Sequence, residues 1–274
     1  MDRRFLVLRT RMDINGTIAA VFGGASGIGL KTIVELLNRN AKGVTIFDLP
    51  SPAVEDAVAK LQSQFDKNRV IFIPCDVTVQ DQVNDGFKKM IATFGSVDIV
   101  INSAGVADDT KIDLMININL GGVIHTSVAA MQNMGKHNGH KGGALLNIAS
   151  VAGLVPVPFI PTYTASKYGI VGFNSAIQKN FGKTGVRVLT ICPGLTNTSL
   201  AMKLMSKQKL DFVDYENVFT HADQVIWQET DIVAKTIVDL FERGENGAIC
   251  VVQNSEPPYL VDPPKIHDLP RRPF

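Results

Sequence analysis

Cysteine is scarce in this 274-residue chain, which has only Cys75, Cys192 and Cys250. An odd number at wide spacing does not make a disulfide framework, and none stands at zinc-ligand spacing from a histidine or a second cysteine. Buried free thiols in a reducing compartment are the expectation, and with them a cytoplasmic location. Excess charge is lacking too: 27 Lys and Arg against 26 Asp and Glu leave a formal net charge of +1. That balance gives no footprint for nucleic acid. No apolar run approaches the ~18 residues of a membrane span, so no transmembrane segment is expected, while peripheral contact with a membrane stays open. The five histidines have no metal-ligating spacing, and no metal is assigned. A secretory signal needs about 7–15 consecutive apolar residues. The start has only Phe5-Leu6-Val7-Leu8 among Arg3, Arg4, Arg9 and Arg11, so residues 1–12 read as a flexible or loosely attached extension.

What is present is ordinary globular material, 45% hydrophobic and 19% charged. Short β-branched runs alternate with longer helix-compatible stretches. The expected strands are 17–22, 44–48, 70–74, 99–101, 144–148, 186–192 and 248–252, nearly continuously apolar as parallel strands covered on both faces must be. Expected helices between them include 28–39, 53–64, 80–94, 114–134 and 163–181. This rhythm predicts an α/β fold, a Rossmann-type doubly wound, seven-stranded parallel sheet with helices on both faces. One domain, 13–253, accounts for nearly everything, with 195–228 as a long apolar connection suited to a substrate lid. The tail 254–274 carries six prolines, which excludes a regular helix or central strand; it is either docked in extended form or without fixed structure.

The first strand runs straight into Gly23-Gly24-Ala25-Ser26-Gly27-Ile28-Gly29 and then a helix. Glycines at 23, 27 and 29 permit a tight turn and close approach to a pyrophosphate, and free N–H groups at the helix start favour its charge. The strand–turn–helix context is what gives this stretch meaning as a dinucleotide site. Asp48 ends the second strand, 19 residues after Gly29, placed to accept hydrogen bonds from ribose hydroxyls and to repel a 2′-phosphate. Leu49 and Pro50 bring no compensating cation, so NAD is the expected cofactor rather than NADP.

Tyr163 and Lys167 stand four residues apart, on one face of a helix. Removing hydride from a carbinol carbon requires its hydroxyl proton to go elsewhere, and a phenol takes it if its pKa falls from about 10 toward neutrality. A lysine ammonium and a positively charged nicotinamide both push in that direction. Ser150, at the carboxyl end of an expected parallel strand, points into the ligand crevice and can donate to the substrate oxygen.

These motifs together resemble the short-chain dehydrogenase/reductase family over roughly residues 13–252, in the family's order: the glycine turn, Asp76-Val77, Asn102-Ser103-Ala104-Gly105, Asn119, Ser150, Tyr163-Thr164-Ala165-Ser166-Lys167, Pro193-Gly194 and Thr198. Val21–Gly29 and Ile118–Thr126 bring it nearest to the insect alcohol dehydrogenase and 15-hydroxyprostaglandin dehydrogenase-like subgroup. The resemblance implies that Asp76 and Val77 meet the adenine edge. It implies that Asn102, Ala104 and Gly105 steady the central sheet and pass near the cofactor, and that Lys167 also holds the nicotinamide ribose. Asn119 would kink its helix and hold a water leading from Lys167 to solvent. Pro193-Gly194-Leu195 would abut the nicotinamide, with Thr198 on its carboxamide. Two positions depart from the pattern: Phe22 stands where a Thr is usual, and Ser103 replaces an Asn.

The segment between Ser150 and Tyr163 is almost wholly apolar. The connection after the sixth strand adds Leu195, Leu200, Met202, Leu204, Met205, Phe212, Val213, Phe219 and Trp227. A hydrophobic pocket is expected, for a small lipophilic alcohol or its carbonyl product, retinol-like, prostaglandin-like or steroid-like. The helix after Tyr163, with Ile170, Val171, Phe173, Ala176 and Ile177, is apolar beyond one stripe, so a second subunit is expected on it, giving a homodimer or tetramer. An NAD-binding scaffold without turnover is the alternative, but it has no chemical need for Ser150, Tyr163, Lys167 and Asn119 together. An epimerase or dehydratase acting on nucleotide sugars fits the apolar pocket segments poorly.

Overall fold

The computed structural model describes residues 12–205, 210–213 and 226–262. The seven expected strands all form, each end within one residue of expectation: β1 Ile18–Phe22, β2 Gly43–Asp48, β3 Val70–Pro74, β4 Ile99–Asn102, β5 Gly143–Ile148, β6 Val186–Pro193 and β7 Ile249–Val252. They pair in parallel in the order β3-β2-β1-β4-β5-β6-β7. The chain reverses its direction of travel between β1 and β4, and a crevice opens at the strand carboxyl ends there.

The sheet has eight strands rather than seven. β8, Tyr259–Val261, pairs antiparallel with β7 at the sheet edge. Asn254 and Ser255 take left-handed backbone angles (φ 54° and 55°) in the reversal between them. The strand follows Pro257-Pro258, whose missing N–H groups lie outside the Tyr259–Val261 pairing and cost no ladder bond. The tail is therefore docked in extended form as far as Asp262; residues 263–274 lie outside the described residues, as do residues 1–11 of the expected extension. Met12, its last residue, packs partly buried against the core.

Strand side chains alternate between faces and so build two cores. Ala19, Val21, Val44, Ile46 and Ile101 meet helices α1 (Gly27–Asn38) and α2 (Pro52–Gln64) on one face. Ala20, Phe22, Phe47 and Val100 meet α3 (Gln80–Phe94) on the other. Each fully buried Leu, Ile or Phe contributes about 1.5–3 kcal/mol. Phe22 stacks on Phe47 with ring centroids 4.4 Å apart, which is what this chain has made of the position where a Thr is usual.

The expected helix 114–134 is interrupted. α4 (Ile112–Ile116) leads into a π turn over Asn117–Gly122, and α5 (Val123–Met134) follows. By length and composition Ile112–Met134 could cross a membrane. It connects β4 to its hydrogen-bonded neighbour β5, however, and buries Met115, Asn119, Val123, Thr126, Ser127 and Met134. It is a packed helix of the domain. α6 (Pro161–Ile177) and a short α7 (Phe181–Thr184) precede β6, α8 (Ser199–Leu204) follows it, and α9 (Thr230–Arg243) packs along α1.

Candidate active site

A cleft of about 500 Å3 lies at the carboxyl ends of the strands. Its lining includes Gly23, Ser26, Gly27, Ile28, Asp48, Asp76, Val77, Ala104, Gly105, Ser150, Tyr163, Lys167, Pro193, Gly194, Leu195 and Thr198. Three expected site residues do not line it: Gly29, Asn102 and Asn119.

The glycine turn is dictated first by protein neighbours. Gly23 has φ +75°, and a Cβ on it would stand 2.4 Å from Ala104 N; a Cβ on Gly29 would stand 2.3 Å from the Gly23 carbonyl oxygen. Gly29 thus lets the helix start pack on the turn rather than touching a ligand. Ser26, the N-cap of α1, makes no side-chain cap bond, and the first turn carries no acid. The first N–H groups of α1 therefore stand uncapped beside the cleft, as an anion requires. Asp48 Oδ2 accepts from Ala25 N (3.1 Å) and Oδ1 from Leu49 N (2.9 Å), which fixes the carboxylate at the rim with lone pairs to spare for hydroxyl donors. This set fits a dinucleotide with an unphosphorylated ribose. Asp76 is less free than expected, because its Oδ1 accepts from both the N–H and the hydroxyl of Thr78.

Asn102 sits beneath the cleft. Its Nδ2 donates to Asn147 Oδ1 (2.7 Å) and Ser127 Oγ (3.2 Å); Asn147 donates on to Asn174, and Asn174 to Thr190. It ties β4, β5, β6, α5 and α6 together, a sheet-steadying role without reach to a ligand. Asn119, fully buried in the π turn, grips the Val106 backbone on both sides: Oδ1 accepts from Val106 N (2.8 Å) and Nδ2 donates to Val106 O (2.9 Å). The helix changes to a π turn around Asn119, and the side chain holds the loop after β4.

The expected reacting groups come from the end of β5 and from α6. Ser150 Oγ accepts from Ala152 N (3.1 Å), stands 3.4 Å from Pro193 O, and is near enough to the Tyr163 phenol to act on its ionisation. Burial pushes Tyr163 up to about 12, opposite to the expected fall, while Ser150 pulls it down. A buried phenolate needs positive charge close by. Lys167 is the near cation, 5.5 Å from the Tyr163 ring centroid and donating to Ile148 O (3.0 Å). Burial lowers its own pKa to about 8, so it remains mostly protonated at neutral pH.

Gly194 lines the cleft and has a further reason to be small besides the flat ring expected beside it, since a Cβ there would lie 2.7 Å from Gln253 Cβ. Thr198 caps α8, its Oγ1 accepting from Ala201 N (3.1 Å) and donating to Thr196 O (3.3 Å); its methyl carbon would stand 3.4 Å from a Cβ on Gly27, across the cleft. Val151, Ala152, Val157, Phe159 and Ile160 line the apolar end, joined by Leu195, Leu200, Leu204 and Met205. Met202 and Phe212 instead point outward, 54% and 80% exposed, and Val213 and Trp227 do not line the cleft; Phe219 lies outside the described residues. Cys75, Cys192 and Cys250 are buried free thiols, each pushed well above its ordinary pKa by burial. No metal-holding group of His, Cys, Asp or Glu occurs among the described residues.

One contributor escaped the sequence reading. Asp109, in the loop after β4 and fully buried, accepts from Thr162 N (2.7 Å) and Tyr163 N (3.0 Å). Its only sequence signal is an acidic pair, Asp108-Asp109, 54 residues before Tyr163.

The family model described as short chain dehydrogenase matches residues 17–209. The chain is 35% identical over 259 residues to 15-hydroxyprostaglandin dehydrogenase [NAD(+)] of Homo sapiens, covering 92% of this chain and 96% of that protein. It is 32% identical over 243 residues to alcohol dehydrogenase 1 of Ceratitis capitata, covering 88% and 93%. Among solved structures, a short-chain type dehydrogenase/reductase from Mycobacterium ulcerans superposes with a TM-score of 0.74 at 21% identity, covering 89% of this chain and 90% of that one. Levodione reductase does so with 0.74 at 22%, covering 88% and 97%. At those identities the two structures speak to the fold.

Proposed function

The chain belongs to the short-chain dehydrogenase family and is an NAD-dependent oxidoreductase of CH–OH groups, and on that premise we propose that it oxidises a lipophilic alcohol to its aldehyde or ketone, with Tyr163 as the proton acceptor. The observation that carries the reading is one cleft holding Ser150, Tyr163 and Lys167 between a dinucleotide-fitting end and an apolar end. NAD, when bound, accepts the hydride leaving the carbinol carbon. Ser150 donates its hydroxyl hydrogen bond to the substrate oxygen and fixes its distance from the phenol. Tyr163, as phenolate, takes the substrate's hydroxyl proton while the C–O bond becomes a carbonyl. Lys167 holds that phenolate through its charge and has its ammonium seated by Ile148 O. Asp48 binds ribose hydroxyls, and its charge disfavours a 2′-phosphate.

The apolar wall of Val157, Phe159, Ile160, Leu200 and Leu204 supports a retinoid-, prostaglandin- or steroid-like skeleton over a sugar. Self-association through α6 belongs to the same proposal. Ile170 and Val171 are buried within the protomer, but Ala165, Tyr168, Gly172 and Ala176 form an exposed stripe of small and aromatic residues along that helix. A reducing, cytoplasmic setting is supported by the three free thiols.

The test is NADH formation by the purified protein with NAD and a panel running from ethanol through retinol and prostaglandins to hydroxysteroids. Reduction of NAD by one lipophilic class, and poor turnover of ethanol, is the expected result. NADH binding with no turnover of any alcohol would overturn it in favour of a cofactor-binding scaffold.

A further inference from the structure

Helix α6 starts without a cap of its own. Ile160 at its N-cap has no side-chain acceptor, and Pro161 has no N–H, so Thr162 and Tyr163 present the first donors. Asp109 meets both, one carboxylate oxygen to each: Oδ2 to Thr162 N at 2.7 Å and Oδ1 to Tyr163 N at 3.0 Å. The other side of the tyrosine's backbone is held as well. Ser166 Oγ donates to Tyr163 O (2.7 Å) and accepts from Asn119 Nδ2 (3.4 Å), and Asn119 clamps Val106 at both its N–H and its carbonyl. Val106 and Asp109 lie in the same short loop. The circuit Asp109–Tyr163–Ser166–Asn119–Val106 therefore closes on itself around the backbone of the residue that bears the phenol. A carboxylate at the start of a 17-residue helix is also the charge that the helix dipole favours there.

We propose that Asp109 is a positioning residue for the proton-transfer step, seating the Tyr163 phenol through the backbone of α6. The inference rests on the reading of Tyr163 as proton acceptor. Asp109 itself does not line the cleft. In Asp109→Asn the amide keeps one acceptor oxygen but turns an NH2 toward the second N–H, so one donor of the pair loses its partner. A displacement of the phenol by a fraction of an ångström lowers the rate of the chemical step and leaves the dinucleotide end untouched.

The experiment compares the wild type with Asp109→Asn by three readouts: amide hydrogen exchange at Thr162 and Tyr163, steady-state kinetics per NADH-binding site, and ionisation of the Tyr163 phenol followed as the tyrosinate absorbance absent from Tyr163→Phe. Exchange at the two amides should quicken. The kcat per site should fall about tenfold to a hundredfold with KM for NAD nearly unchanged. The pH at which the phenol ionises should shift, because a displaced ring changes both its burial and its approach to Ser150. Unchanged exchange overturns the proposal. Faster exchange with wild-type kcat per site and wild-type phenol ionisation overturns it equally, because Asp109 would then be a cap and nothing more. If the wild type oxidises no alcohol, the dehydrogenase reading fails by itself, and the phenol ionisation decides for Asp109: a shift together with faster exchange at Thr162 and Tyr163 supports positioning, and no shift refutes it. Asp109→Ser, neutral and smaller, is measured in the same way should Asp109→Asn not fold.

Discussion

Lys167 Nζ lies 5.5 Å from the centre of the Tyr163 ring, on the same face of α6, with its ammonium anchored to the carbonyl of Ile148. The two groups are pulled by burial in opposite senses, the phenol up to about 12 and the ammonium down to about 8. A phenolate beside an ammonium would leave neither buried charge unpaired.

Tyr163→Phe removes the proton acceptor and little else. Alcohol oxidation should fall by about 10²–10⁴-fold or more, while NADH fluorescence titration shows binding within a few-fold of wild type. Substantial remaining turnover would remove Tyr163 from the mechanism.

Lys167→Met separates activity from stability. Without the ammonium the phenolate is harder to form, so the rising limb of the oxidation pH profile should move to higher pH. Stability should respond in the other direction. The folded pKa of about 8 lies below the unfolded 10.5, so the folded state bears the full cost of a buried charge below pH 8, and that cost fades as pH rises to 10.5. The shift corresponds to about 3 kcal/mol, offset by about 1–3 kcal/mol for leaving the Ile148 carbonyl unpaired. Urea midpoints at pH 7 and pH 10 provide the check: Lys167→Met should compare more favourably with wild type at the lower pH, and the reverse order would contradict a costly buried ammonium.

Asp48→Ala takes away the ribose acceptor together with its bonds to Ala25 N and Leu49 N. NAD binding should weaken and the preference over NADP should shrink. Kd values for both cofactors measure this, and an unchanged ratio would remove Asp48 as the selector.

Gly23→Ala forces a Cβ to within 2.4 Å of Ala104 N at a φ of +75°. Strain and overpacking together should cost about 2–5 kcal/mol, lowering the thermal midpoint and weakening NADH binding because the turn itself must shift. A wild-type midpoint would show that the turn and the loop after β4 are not in close contact.

Gly172→Arg tests the α6 stripe. Among the described residues nothing beyond its own stretch of helix lies within 4 Å of a Cβ at Gly172, so there is room for the substitution in the isolated fold and not against a second copy packed there. Light scattering should show an oligomer for wild type and a monomer for the variant; a monomeric wild type would dispose of the interface.

Much of the site was legible in the chain because its chemistry is local. The glycine turn, Asp48, Ser150 and the Tyr163–Lys167 pair each sit where a strand ends or a helix begins, and strand–helix alternation places strand ends at one edge of the sheet. The eighth strand was not, because Tyr259–Val261 pairs as an edge strand between proline pairs and carries no periodic signal of its own. Nor were the separate fates of Leu204, which lines the cleft, and Met202, which faces solvent, because a helix two turns long can be rotated either way by what it packs against.

The strand runs, the order of the motifs, the likeness to one family and the candidate reacting groups could all be read along the chain, since periodicity and short spacing record them. Which of the expected residues line the cleft depended on three-dimensional packing. Packing put Asn102 and Asn119 outside the cleft lining, where they brace neighbouring segments, and set Gly29 against Gly23 and Gly194 against Gln253. It also brought Asp109 across 54 residues to the backbone of Tyr163. The physical reason is the same in each case: a hydrogen bond or a close approach between distant segments depends on where packing puts the two backbones, and no local pattern records that.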